Sequence, residues 1–244
     1  MWTELRSIYA GSVLGVAWTF GGPLVLMVLY AVMYGIVLRV QPTTMSFTSY
    51  ILYVGVGLIP FMSFSSSVSI GAMSLARDKQ VLLNTYFPSE LIGIRAVLVQ
   101  CAPMIGGLLA AIVLCVVIGI ATPFVLLVPF VIVLQVLFSI ALVWVLSLLT
   151  LALRDIQHVI QYIMFALLLV TPIGYDRSLV PRSLEWLMYF NPLYYFVVWY
   201  QDLIVFGRLP PVSVVFISVT GSLVFFGIAY IIFVRAKRIF YDYV

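Results

Sequence analysis

The 244-residue chain offers few side chains for catalysis: one histidine, His158, and two cysteines, Cys101 and Cys115. A single histidine excludes paired-histidine metal motifs, and no cysteine or carboxylate cluster has metal-ligand spacing. The two cysteines share one apolar run, where the helix between them holds them about 21 Å apart. They cannot bridge within that helix and read as buried apolar thiols. A phosphate loop of the Gly-x-x-x-x-Gly-Lys-Ser/Thr kind is missing, because Lys79 follows Asp78 and Lys237 follows Ala236. The chain is therefore not itself an ATPase.

The polar chemistry gathers instead in one island, Ala76 to Arg95. Between Arg6 and Arg154 it carries every charged residue except Arg39, namely Arg77, Asp78, Lys79, Glu90 and Arg95. Arg77 to Asn84 suits a short amphipathic helix lying along the membrane, with Val81, Leu82 and Leu83 partly apolar. Pro88 biases Phe87 away from helix, and Ser89-Glu90 favours a new helix start. Such a segment fits the groove of a partner protein. An ordinary solvated loop is the alternative.

The elements that hold this island are apolar. Hydrophobic residues make up 65% of the chain and charged residues 8%, with a mean hydropathy of +1.24. Soluble domains carry roughly 25% charged residues, so an all-α integral membrane protein is expected. The net charge of +4 is too small and scattered to suggest nucleic-acid binding. Charge-free runs predict six spans, since a charge near the bilayer centre costs roughly 2.5 to 3.5 kcal/mol on insertion scales. They are Ser7 to Leu38, Val40 to Ala76, two within Ala96 to Leu153 divided at Ala121-Thr122-Pro123, Ile156 to Tyr175, and Leu209 to Val234. Trp186 to Gln201 is about 24 Å long as a helix and is broken at Asn191-Pro192, so it reads as a re-entrant or interfacial pair of short helices.

Basic residues set the orientation. Arg6, Arg77, Lys79, Arg95, Arg154, Arg235, Lys237 and Arg238 outnumber Arg39, Arg177, Arg182 and Arg208 on the other side. Both termini and the island are therefore placed in the cytoplasm. The expected single transmembrane domain has a short cytoplasmic N-terminus (1–10), a cytoplasmic loop (76–95), an external loop with re-entrant short helices (176–208) and a cytoplasmic C-terminus (235–244). The N-terminus lacks a cleavable-signal pattern, so the first span is expected to be retained. Intramembrane ionisable groups for ion-driven transport are missing apart from His158, which puts the source of work outside the membrane.

Flat aromatic faces pack against the apolar C–H groups of a passing substrate as well as against neighbouring helices. Phe20, Pro23, Met27, Tyr30 and Tyr34 form one stripe at helical spacing, and His158, Tyr162, Phe165, Leu169 and Pro172 another. Both are candidates for a channel wall, with helix packing or lipid contact as the alternative. Trp186, Tyr189, Tyr194, Tyr195 and Trp199 crowd the broken short-helix segment, and an interfacial aromatic belt explains part of that set. Asp155 is expected to cap the helix that follows it. With Arg154 as a guanidinium contact for phosphate, it could also meet a charged lipid headgroup at the cytoplasmic face.

An ordered set of short motifs spans nearly the whole chain. It comprises Tyr9-Ala10-Gly11-Ser12-Val13-Leu14-Gly15 with Trp18 and Pro23-Leu24, Gly57-Leu58-Ile59-Pro60, Tyr86-Phe87-Pro88 and Leu153-Arg154-Asp155-Ile156. Thr171-Pro172-Ile173-Gly174-Tyr175, Val180-Pro181 and Asn191-Pro192-Leu193 complete it. In these residues the chain resembles the transmembrane subunit of ABC-type exporters of lipid-linked polysaccharides, the group of O-antigen, capsule and teichoic-acid permeases. The resemblance implies a homodimer in the bacterial inner membrane, bound to two copies of a nucleotide-binding subunit that holds ATP and Mg²⁺, with no cofactor in this chain. It also implies that the 76–95 loop is the coupling element, where Arg77, Asp78, Lys79, Leu82, Tyr86, Phe87 and Glu90 meet the ATPase, and that the short helices before the last span, with Trp186, Tyr189, Tyr194, Tyr195 and Trp199, gate the outer side of the permease. Two departures stand out: Ala10 where a basic residue is common, and Leu83-Asn84-Thr85 and Ser89 around a triplet whose surroundings are usually basic. An exporter of small hydrophobic drugs or lipids shares this architecture. A membrane glycan enzyme or assembly scaffold is the alternative from another class, but it would need paired carboxylates, which this sequence does not show.

Overall fold

The computed structural model describes residues 18–40, 45–77, 88–153 and 155–242, and among these every regular element is helical. In chain order they are α1 (Trp18–Val32, prolonged by a π-helical turn, Met33–Val37), α2 (Phe47–Ala72), α3 (Ser74–Arg77) and α4 (Glu90–Ile118). A 3-10 turn (Pro123–Leu127) leads into α5 (Val128–Ala152), followed by α6 (Ile156–Val170). Two further 3-10 turns (Arg177–Leu179 and Arg182–Leu184) precede α7 (Glu185–Phe190), α8 (Pro192–Ile204) and α9 (Val212–Asp242).

Among the described residues four stretches are long and apolar enough to cross a bilayer: Phe47–Ala72, Glu90–Ile118, Pro123–Ala152 and Val212–Ala236. Gly21–Val37 and Ile156–Val170 are apolar but shorter. The outer faces carry large apolar side chains, such as Val117 at 76% and Phe216 at 64% exposure, which lipid accepts and water does not. Several polar side chains turn inward to backbone acceptors: Gln135 donates to the Pro60 carbonyl at 2.9 Å, and Ser63 to the Gln100 carbonyl at 2.9 Å. An apolar outer surface with polar side chains turned inward is the pattern of a multi-pass membrane protein.

Local chemistry explains where the helices end. Ser46 begins α2 from an extended backbone, its hydroxyl accepting from the Ser49 N–H. Arg39 stops the π-helical turn with φ at 53°, and Gly119 ends α4 with φ at 80°. The chain then turns through Ala121 and Thr122, where the sequence places the break. Asn191 and Pro192 separate α7 from α8, with the Asn191 carboxamide oxygen accepting from the Leu193 N–H at 2.9 Å.

Some expectations shift. The run expected to end at Tyr175 leaves the helix at Val170, because Pro172 holds Thr171 extended (φ −75°, ψ 128°). Asp155 sits at the N-cap position of α6 but makes no side-chain cap bond: its backbone is already helical, and its carbonyl accepts from the N–H groups of His158 and Val159 instead. Ser89 likewise precedes α4 with a helical backbone and no side-chain cap.

Helix α2 forms the centre, contacted by α1, α4, α5 and α8, while α9 runs along α5. Cys101 and Cys115 are both buried in α4 and free.

Candidate functional site

The two roots of the charged island meet on one place in α5. On the α2 side Gly71 lies against Val143, so close that a Cβ there would come within 2.5 Å of a Val143 methyl. On the α4 side Gly93 lies against Val143 and Trp144. The indole N–H of Trp144 donates to the carbonyl of Glu90, the first residue of α4, at 3.1 Å. Behind it the Trp144 ring packs on Phe226, Tyr230 and Phe233 of α9. Arg77 ends α3 and Glu90 begins α4, and both of these helices contact α5, so both flanks of the island rest on it. Asp78, Lys79, Leu82, Tyr86 and Phe87, the other candidates for contact with a partner, lie outside the described residues.

At the opposite helix ends the segment Thr171 to Tyr175 is tied on several sides. The Asn191 amide donates to the Thr171 hydroxyl at 2.7 Å, and that hydroxyl donates to the Leu167 carbonyl. The Gln201 amide donates to the Pro172 carbonyl at 3.2 Å, with Gly57 of α2 leaving the room it occupies. Tyr50 donates to the Gly174 carbonyl and Tyr53 to that of Tyr175, while the Tyr34 ring covers Gly174 where any larger residue would clash. Tyr175 turns back to donate to the Val170 carbonyl at 2.8 Å. The Gly57, Thr171 to Tyr175 and Asn191 motifs are thus parts of one knot joining α1, α2, α6 and α8.

Beside the knot lies a residue that the sequence did not single out. Asp202 is fully buried near the end of α8, bonded to the Arg208 Nε at 2.9 Å and 3.9 Å from an Arg177 nitrogen. Arg177 also stands over the Tyr194 ring, 5.6 Å from its centroid. The aromatic segment, expected to end at Gln201, continues as helix to Ile204 and so takes in Asp202. The signal is an acid two residues after Tyr200, the last of an aromatic-rich run, with Arg177 and Arg208 on either side in sequence.

The aromatic candidates divide. Tyr162 and Phe165 of α6 are exposed, at 76% and 62%, and His158 is exposed near the helix start. In α1 the stripe faces the protein: Met27 is buried against α2, and Tyr30 and Tyr34 are partly buried with their rings 6.1 Å apart. The side chain of Phe20 lies outside the described residues. Of the gate set, Trp186 and Tyr189 are exposed on α7, whereas Tyr194, Tyr195 and Trp199 are buried in α8, Trp199 donating to Ser218 at 2.8 Å. Asp155 is exposed, and Arg154 lies outside the described residues.

A sequence profile described as ABC-2 type transporter matches residues 1–205. The chain is also similar to the O-antigen export system permease protein RfbA of Myxococcus xanthus, 29% identical over 216 residues, covering 85% of this chain and 79% of the relative. A protein of the same name from Klebsiella pneumoniae is 26% identical over 209 residues, covering 84% of this chain and 78% of the relative.

Proposed function

The chain belongs to the ABC-2 type transporter family, and from that premise we propose that it is the membrane subunit of an ATP-driven exporter of a lipid-linked polysaccharide. ATP and Mg²⁺ are held by a separate nucleotide-binding subunit, two copies of which join two copies of this chain in the bacterial inner membrane. Six spans place both termini and the island in the cytoplasm, with α6 and the described part of α1 completing the count as shorter spans. Helices α7 and α8 form the re-entrant outer gate. The likeness to O-antigen permeases supports the substrate class, and the missing phosphate loop supports a partner that supplies the hydrolysis.

The observation that carries the mechanism is the shared footing of the island on Val143 and Trp144. A push on Arg77, Asp78, Lys79, Leu82, Tyr86, Phe87 or Glu90 reaches α2 and α4 together and passes through Trp144 to α9. Packed helices move as bodies and do not deform smoothly, so closure of the ATPase pair tilts the bundle. Export then proceeds along an aromatic wall formed by Phe20, Tyr30, Tyr34, His158, Tyr162 and Phe165, with Arg154 and Asp155 at its cytoplasmic mouth. Trp186, Tyr189, Tyr194, Tyr195 and Trp199 close its far end.

Purified chain, alone and with its nucleotide-binding subunit, tests the division of labour. The reading expects no ATP hydrolysis by the chain alone and hydrolysis by the complex. Turnover by the chain alone would overturn it.

A further inference from the structure

Asp202 is fully buried near the end of α8, and its two carboxylate oxygens have different surroundings. Oδ1 is held by Arg208, whose Nε lies 2.9 Å away and whose backbone N–H also bonds the Asp202 carbonyl at 2.9 Å. The Arg208 guanidinium rests over Phe206, 4.9 Å from the ring centroid, so this partner is fixed within its own turn. Oδ2 accepts no hydrogen bond, although a guanidinium nitrogen of Arg177 stands 3.9 Å from it. We propose that Arg177 is a movable strap. Seated on Oδ2, it ties the link between α6 and α7 to α8 and keeps the outer face shut at rest; shifted onto the Tyr194 ring, it lets that face open. The proposal rests on the export reading above and concerns how its outer gate is held.

Both seats lie within reach of one side chain. The Arg177 guanidinium is 5.6 Å from the Tyr194 ring centroid and 3.9 Å from Oδ2. A guanidinium bonded to a carboxylate comes to about 2.8 Å, so a shift of roughly 1 Å completes the bond. The surroundings set the resting preference. An open carboxylate oxygen buried in protein is costly, and a charge-assisted bond to it outweighs the hold of a cation on an aromatic face. The Arg177 side chain is 27% exposed and keeps room to move, which Asp202, at 0%, does not have. The strap also spans separate elements. The ties from Tyr53 and Gln201 hold the Thr171 to Tyr175 segment against α2 and α8, and Arg177 opens the 3-10 turn just beyond it. In that turn the Leu179 N–H bonds the Asp176 carbonyl and the Val180 N–H bonds the Arg177 carbonyl. Those bonds shape the turn without anchoring it to α8, which the Arg177 side chain reaches at both Tyr194 and Asp202.

The test is leakage of a small trapped dye through the complete transporter in liposomes without nucleotide, beside thermal unfolding of the same preparations. Arg177→Gln should raise leakage about tenfold, the population change expected from losing one charge-assisted bond. It should move the unfolding midpoint less than Arg208→Ala does. Arg177→Lys keeps the charge and should recover much of the seal. Arg182→Gln, which removes an exposed arginine of the same link, should leave leakage unchanged. Asp202→Asn, where it folds, should leak like Arg177→Gln, and the double variant should leak no more than either alone. Leakage by Arg177→Gln no faster than that of the unaltered transporter would overturn the strap. Equal leakage by Arg182→Gln would overturn it too, by assigning the seal to the charge of the link. So would an unfolding loss in Arg177→Gln as large as that of Arg208→Ala, which would make Arg177 a stabilising contact only. Each of these results leaves the export reading standing, since that is decided separately by glycan retention in cells lacking the chain.

Discussion

The indole N–H of Trp144 lies 3.1 Å from the carbonyl oxygen of Glu90, so a residue in the middle of the bundle holds the first turn of the helix that leaves the charged island. Trp144 is 2% exposed and its ring meets three aromatic residues of α9. Trp144→Phe keeps most of that packing and removes the donor. It should cost about 1 kcal/mol of stability, the worth of one hydrogen bond, and lower export more than it lowers ATP hydrolysis by the complex. Trp144→Ala should cost roughly 3 to 5 kcal/mol, as other large-to-small core changes do. Thermal unfolding in detergent, with export and hydrolysis measured side by side, checks both.

Gly71 makes the opposite prediction. A Cβ there would sit 2.5 Å from a Val143 methyl, so Gly71→Ala must push α2 and α5 apart. The expected destabilisation is about 1 to 3 kcal/mol, the usual range for overpacking. Val143→Ala removes the obstructing methyls, and the double variant should recover much of the loss. Additive losses in the double variant would show that the two residues do not act on each other.

At the far end, Asn191→Ala removes both the N-cap of α8 and the bond to Thr171. Loss of a cap alone typically costs about 0.5 to 2 kcal/mol. Protease sensitivity between α6 and α8 should rise with it, while Asn191→Asp, which keeps the cap acceptor, should lose less.

The buried Asp202 ranks its two partners. Arg208 bonds it at 2.9 Å and Arg177 stands at 3.9 Å. Arg208→Ala should therefore destabilise more than Arg177→Ala, because it leaves a buried carboxylate with only the distant cation. Equal effects in thermal unfolding would contradict this ranking.

The two aromatic stripes call for different tests. Tyr162 is 76% exposed, so Tyr162→Ala should leave stability and assembly with the ATPase unchanged while lowering export through the proposed wall. Tyr34 covers Gly174, so Tyr34→Ala should lower stability as well, and its loss of export would not by itself identify a channel residue.

The sequence was most informative where charge decides the answer. Runs without charge marked the apolar helices, and Asn191-Pro192 marked the break between α7 and α8 because asparagine caps and proline stops a helix. It was least informative about burial, since in a membrane protein both the outer and inner faces of a helix are apolar. Helical spacing put Met27 and Tyr34 in one stripe, but only packing places them against Gly55 and Gly174. The Gly57 and Thr171 to Tyr175 motifs could be recognised, but their shared purpose could not: the bonds from Gln201, Tyr50 and Tyr53 cross more than twenty residues. Asp155 illustrates a local limit. Residue type placed it at a helix start, but whether its side chain caps depends on a backbone angle that residue type does not fix.

The most direct test of the central claim is the fate of the lipid-linked glycan in cells from which the gene for this chain has been deleted. Complete glycan should accumulate on the inner side of the cytoplasmic membrane, disappear from the surface, and return to it when the chain is supplied again. Normal surface glycan in the deleted cells would contradict the account.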